Sequence, residues 1–449
     1  MKKAVRKMHL NLFLAETGHH VAAWRHPSVQ ADAGTDLRAF VELTRIAERA
    51  CLDAIFLADS VAANVAPGAS RAARSDRLDP LTLLPALAAV SERIGLIATA
   101  TTSYNEPYHI ARKFASLDHL SAGRAGWNLV TSDNAAEAQN FGRSEHIGHE
   151  ERYERAYEFH QVVSGLWDSW DDHSFVRDKA SGLYYDEATL RVLDHRGKHF
   201  TVKGPLNVPR SPQGRPVVVQ AGSSEAGRVL AARTADVVFT AQLELAAAQA
   251  FYRDMKARAA AHGRAPDELK ILPGLSVVVG QSDAEAQDRF DELQSLVPPE
   301  AGVAALSRMI GNFDLSGYPL DGPLPELPQT ETGQQSRQAL LTRLAGSENL
   351  TIRELYLRIA AGRGHLQIVG SARTVADAMQ AWFEAGAADG FNVMPAELAG
   401  GLTQFCERVV PELQRRGLFR THYAGTTLRE HLGLRRPVRV SHGPDQRAA

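Results

Sequence analysis

The sequence predicts an α/β fold, a (β/α)8 barrel of the TIM type with long insertions. Three observations carry this. Short apolar, β-prone runs alternate with helix-patterned stretches over most of the 449 residues. There are eight such runs, the number that closes a parallel barrel. The runs are apolar along their length, as strands covered by helices are. A doubly wound open sheet shares the alternation and is the competing reading. Composition is that of an ordinary globular chain, 44% hydrophobic and 23% charged, with ample length for a large core. The expectation is one barrel domain over residues 1–449, interrupted at about 60–80, 170–213 and 298–365.

The first strand, MHLNLFL (8–14), leads into ETGHHVAAWRHP. His20, Trp24 and Arg25 gather there, polar and aromatic where a plain connector needs neither, and barrels place function at strand ends. A surface loop with a tryptophan against the rim is the other reading. The second strand, DAIFLAD (53–59), ends on Asp59, either a partner for a ligand N–H or a cap for the following turn. The polar stretch 60–80 follows. The third strand, IGLIATAT (94–101), brings Thr101, Thr102 and Ser103 to the rim. Threonine is also common in strands for its β-propensity alone. The fourth, RAGWNLVT (124–131), holds Asn128 inside an apolar run. A buried amide needs partners, from a ligand or from internal backbone.

HIGHEERYERAYEFHQVV begins a helix, with His149 and Tyr153 four apart on one face of its first turn. A packed helix stripe is the alternative. Segment 170–213 predicts a hairpin with its turn at Arg196–Gly197. The fifth strand, PVVVQAG (216–222), runs into QAGSSEAG and then a helix. Such a turn presents N–H groups and the hydroxyls of Ser223 and Ser224 at a helix N-terminus, a cradle sized for one phosphate. Barrel phosphate sites usually follow strands seven and eight, and this one follows the fifth. The remaining strands are DVVFTA (236–241), ILPGLSVVVG (271–280) and, beyond the insertion 298–365, DGFNVMP (389–395).

Absent motifs narrow the chemistry. There is no GxxxxGK[ST], no GxGxxG and no GxSxG. HIGHE lacks the second histidine of a zinc pair, and the two cysteines, Cys51 and Cys406, are far apart, so no metal site is expected. A net charge of −2 offers no field for nucleic acid or anionic lipid. No run approaches a membrane span, and a reducing cytoplasm is the simplest compartment.

The strand ends HHVAAWRHP, LDAIFLADS, TTSYNEPYHIARKFASLDHLSAGRAGWNLVTS, GPLNVPRSPQGRPVVVQAGSSEAGRVLAARTADVVFTAQ and VVPELQRRGLFRTHYAGTTLREHLGL together resemble the bacterial luciferase-like flavin-dependent monooxygenases. The similar branch contains nitrilotriacetate monooxygenase, pristinamycin synthase and dibenzothiophene sulfone monooxygenase. The resemblance implies a barrel that takes FMN already reduced by a separate NAD(P)H:flavin reductase. Reaction with O2 would give a flavin C4a-(hydro)peroxide that oxygenates a small substrate. It also implies that Asp59, Thr102 and Asn128 meet the flavin ring, that His149 and Tyr153 reach its ribityl-phosphate end, and that Ser223 and Ser224 hold the phosphate. His20, Trp24 and Arg25 would face the substrate, with His20 as candidate general acid. Within the branch, an aminopolycarboxylate such as nitrilotriacetate is the first substrate expectation, with Arg25, Arg71, Arg74 and Arg77 to meet its carboxylates. A sulfone, thioether or alkane on the same chemistry is the alternative. A flavin or deazaflavin dehydrogenase and a non-catalytic flavin-binding protein are the readings from other classes. Relatives are commonly homodimers or tetramers.

Overall fold

The computed structural model describes residues 6–63, 65, 69–71, 76–132, 134–222, 224–328 and 335–439. Eight parallel strands form the barrel: β1 His9–Leu14, β2 Ala54–Leu57, β3 Gly95–Thr101, β4 Ala125–Val130, β5 Val217–Ala221, β6 Val237–Thr240, β7 Lys270–Gly280 and β8 Gly390–Pro395. Each pairs with the next in order, and β8 closes on β1 through the register His9↔Gly390. All eight coincide with the runs that the sequence marked, β7 beginning one residue earlier at Lys270.

Strand alternation sorts the core into two faces. Leu10, Leu12 and Leu14 of β1 point outward into the large cluster shared with the helices. Phe13, with Phe56 of β2, Val219 of β5 and Phe239 of β6, points into the barrel. The lower end of the barrel is plugged by Leu428, Leu432 and Leu434 from the C-terminal segment. Gly95 makes room for that plug, since a Cβ there would lie 2.5 Å from Leu428 Cδ1.

The plug is tied down electrostatically. Asp53, fully buried, accepts from Leu10 N at 2.7 Å and pairs with His9 Nδ1 at 3.1 Å and with Arg420. Burial alone would raise its pKa, but the charges of Arg420 and His9 outweigh that and hold it below the usual carboxylate range. A depressed carboxylate contributes stability above its unfolded pKa, near 3.9, that is lost as pH falls through the folded value. Asp53→Asn is therefore expected to flatten the acid limb of stability below about pH 5, as pH falls through the unfolded pKa toward the lower folded one, read as urea midpoints. Asp53→Ala, which strands Arg420, is expected to cost about 3–5 kcal/mol.

The insertions differ in how far the sequence revealed them. In 170–213 a short hairpin pairs His195–Arg196 with Thr201–Val202. Its turn spans Gly197 to Phe200, closed by Gly197 N–H donating to Phe200 O at 2.9 Å. Glu158 clamps it, accepting from His199 N and Phe200 N at 2.9 Å each. Segment 298–365 forms helices Pro299–Met309, Gln335–Glu348 and Ile352–Gly362, which build a satellite core with Val21 and Ala22 of the first loop. A ninth parallel strand, Leu366–Ser371, was not anticipated. It pairs with Leu275–Gly280, the part of the 11-residue β7 that runs past its pairing with β6.

Among the described residues, no helix is long and apolar enough to cross a membrane, and no group of three or more His, Cys, Asp or Glu is placed to hold a metal ion.

Candidate active site

The carboxyl ends of the barrel strands open into a cavity of about 880 Å³, large enough for a cofactor and a small substrate together. Its floor is aromatic. Phe13 meets Phe56 and Phe239 edge to face, with centroids 4.9 and 5.5 Å apart, and His365 stacks on Phe239 at 5.0 Å.

A chain of hydrogen bonds sets the polar wall. Thr99 Oγ1 donates to Leu57 O at 2.8 Å and accepts from Asn128 Nδ2 at 2.8 Å. The Asn128 amide is thereby locked, and its Oδ1 is buried with no partner among the described residues. An orphaned acceptor of this kind costs roughly 1–3 kcal/mol, which a ligand N–H arriving in the cavity would recover. Beside it, burial raises the pKa of Asp59 above the usual range, against the Ser60 N–H and Arg77, with Asp79 and Glu137 adding to the rise. Glu137 accepts from Ser60 Oγ at 2.7 Å and keeps a second oxygen unpartnered.

Two helix N-termini converge on the opposite part of the cavity. His149 is the first residue of helix His149–Trp167, and its ring lies 4.9 Å from that of Tyr153. Ser224 caps helix Glu225–Thr234, accepting from Gly227 N at 3.2 Å, and its Oγ lies 3.4 Å from Tyr153 OH. A Cβ on Gly227 would sit 3.1 Å from Ser224 Oγ and 3.3 Å from Tyr153 OH, so glycine keeps this cradle open. Burial and then the Arg152 charge lower the His149 pKa, so the cradle attracts anions by N–H groups and helix dipoles. Ser223 lies outside the described residues, as does Arg74.

The structure thus brings Asp59, Asn128, His149, Tyr153 and Ser224 to one cavity. Thr102 is displaced from it. Strand alternation puts Thr99 and Thr101 inward, and Thr102 Oγ1 donates away to Val130 O at 3.2 Å. The first-loop trio is not part of the lining either. His20 is 2% exposed and its Nε2 meets Gln294 Oε1 at 3.1 Å. Arg25 donates to Leu296 O, and Trp24 Nε1 to Arg71 O at 3.3 Å. With Val21 N–H donating to Ala360 O at 2.8 Å, this loop clasps the insertion helices to the barrel.

Sequence reasoning missed several residues that line the cavity, among them Thr99, His365, Arg337 and Arg343. Period-2 spacing from Thr101 was available for Thr99. The other three arrive on the insertion, for which no local signal points inward. His365 is 6% exposed, and burial, then the charges of Arg337 and Arg363, keep its ring neutral.

The geometry agrees with what the chain is similar to. The profile of the luciferase-like monooxygenases matches residues 17–389. Nitrilotriacetate monooxygenase component A of Aminobacter aminovorans is 51% identical over 444 residues, spanning 97% of this chain and 98% of that protein. N-acetyl-S-(2-succino)cysteine monooxygenase of Bacillus subtilis (strain 168) is 49% identical over 439 residues, spanning 98% and 99%. A riboflavin lyase solved with modified FMN and its substrate riboflavin superposes with a TM-score of 0.86 at 34% identity, over 95% of this chain and 96% of that one. The chain belongs to the luciferase-like monooxygenase family.

Proposed function

We propose that this chain is the oxygenase of a two-component system, taking FMN already reduced by a separate NAD(P)H:flavin reductase and oxygenating a small polycarboxylate. The observation that carries the cofactor reading is the pairing, in one cavity, of an anion cradle with the orphaned Asn128 Oδ1. FMN presents matching groups, a phosphate at one end and a ring N–H at the other. Ser224, Tyr153 and the amide N–H groups of the turn hold the phosphate. Asn128 accepts from the ring, Asp59 meets its edge, and the phenylalanine floor excludes water beneath it. Ser223 belongs to the same proposal as a neighbour of Ser224 in the turn.

Reduced FMN supplies two electrons and activates O2. With nitrilotriacetate, one oxygen atom goes to the carbon beside nitrogen and the other leaves as water. The resulting carbinolamine breaks its C–N bond to release iminodiacetate and glyoxylate. The substrate class rests on a property shared by the substrates that name the two relatives. Nitrilotriacetate and N-acetyl-S-(2-succino)cysteine each carry three carboxylates, although one is an amine and the other a thioether. The thioether keeps a sulfur substrate as the second reading. Because His20 is engaged with Gln294 and Arg25 with Leu296, His20, Trp24 and Arg25 act on substrate indirectly, by holding the loop whose Val21 and Ala22 pack on the insertion helices.

The test is turnover of both compounds with NADH, FMN and a supplied flavin reductase. Glyoxylate from nitrilotriacetate is the expected result. Oxygenated product from the thioether alone would move the assignment to sulfur, and no product from either would sink the polycarboxylate reading. The same preparation is expected to run as a homo-oligomer by light scattering.

A further inference from the structure

Among the described residues four arginines line the cavity, and they are not equivalent. Arg228 is neutralised by Asp254 at 3.1 Å and stands on the phosphate-side helix. Arg152, beside His149, is 3% exposed and donates to Ser132 O. Arg337 and Arg343 come instead from the insertion helix Gln335–Glu348. With Leu340 they follow a three-residue spacing, a ridge that winds about 120° round the helix, and all three line the cavity. Leu341 and Ala345, on the flank next to Arg337, anchor the helix in the satellite core. The helix therefore holds itself down apolar side first and offers two guanidinium groups to the opening.

The two are prepared differently. Arg337 donates to Arg363 O, and the close approach depends on Gly364. That residue has φ +79°, and a Cβ on it would lie 2.6 Å from Arg337 Nη1. Arg343 is exposed at the mouth and lacks a hydrogen-bond or ion-pair partner among the described residues. Two of the three carboxylates in the described lining lie elsewhere. Asp59 follows β2 and Glu137 follows β4, and the circular strand order puts each three strands from β7, where the insertion departs. The third, Asp254, is held by Arg228 and Arg258. Six residues of helix separate the two arginines by about 9 Å along the axis, within the combined reach of both side chains for a single small polyanion.

We propose that Arg337 and Arg343 form the carboxylate-receiving subsite of this cavity, so that the insertion helix, rather than the barrel, selects polyanionic substrates. This rests on the polycarboxylate reading above. Guanidinium groups suit the task because each pairs with a carboxylate through two parallel hydrogen bonds. The arrangement also explains how one barrel serves different oxidised atoms: the insertion grips what the substrates share, and the reacting atom falls where the flavin is.

The experiment measures binding without turnover, by calorimetry of nitrilotriacetate into the oxidised-FMN complex with no reductant present. Arg343→Gln is expected to weaken binding at least about tenfold and Arg343→Glu about a hundredfold, with Arg343→Lys recovering part of the loss. FMN affinity is expected to be unchanged in all three. Arg343 has no hydrogen-bond or ion-pair partner to lose among the described residues, and an unchanged thermal midpoint in each variant shows that folding does not confound the result. Unchanged nitrilotriacetate affinity in both Arg343→Gln and Arg343→Glu would overturn the proposal. So would a loss of FMN affinity in its place, or a wild-type protein that binds neither nitrilotriacetate nor N-acetyl-S-(2-succino)cysteine. Arg343-dependent binding without glyoxylate formation would instead remove the C–N cleavage reading and leave the subsite standing.

Discussion

Combining Ser224→Gly with Tyr153→Phe is expected to weaken FMN binding at least about a hundredfold, because each hydroxyl gives a phosphate a hydrogen bond worth roughly 1.5–3 kcal/mol. The pair is chosen so that little else changes. Ser224 caps helix Glu225–Thr234 through Gly227 N, and glycine at an N-cap costs only a few tenths of a kcal/mol. Phenylalanine keeps the ring that packs at 4.9 Å on His149. Fluorescence titration gives the affinity, and an unchanged thermal midpoint shows that the cradle, not the fold, was altered. A double variant binding FMN like the wild type would take the phosphate out of this turn.

Gly390→Val is expected to abolish soluble expression or lower the melting temperature by roughly 5 °C or more. Gly390 faces His9 where β8 closes on β1. A Cβ there would overlap His9 O and lie 2.5 Å from His9 N. Both are backbone atoms of a paired strand, and His9 N–H itself donates to Asp389 O at 3.0 Å, so neither strand can yield without opening the barrel. A loss on the order of 4–5 kcal/mol, at the top of what single substitutions do, is a large share of a typical 5–15 kcal/mol total. Gly346→Ala is the contrast. It lies in helix Gln335–Glu348 with open space at its Cβ and is expected to be neutral or to stabilise by up to about 1 kcal/mol. Equal melting temperatures for the two variants would contradict this view of closure.

What the sequence made legible follows from how local each signal is. Barrel strands buried on both faces read as apolar runs whatever their neighbours, so all eight strands were visible. Asn128 was visible because an amide is conspicuous in such a run, and Ser224 because a strand–turn–helix junction is local. Choosing Thr101 over Thr102 required the register, which is set by pairing with β4. The role of His20 was obscured because its partner, Gln294, is 274 residues away. His365, Arg337 and Arg343 reach the cavity only because the insertion folds back over it. The strand Leu366–Ser371 exists only because β7 runs past β6 and leaves an edge to pair.

The central claim is that this cavity holds FMN with its phosphate in the Ser224–Tyr153 cradle and its ring against Asn128. A crystal structure of the protein soaked with FMN tests it most directly. The phosphate is expected within hydrogen-bond distance of Ser224 Oγ and Tyr153 OH, with a ring N–H donating to Asn128 Oδ1. FMN bound with its phosphate elsewhere, at Arg337 and Arg343 or in the separate pocket at Arg93 and Glu430, would contradict it.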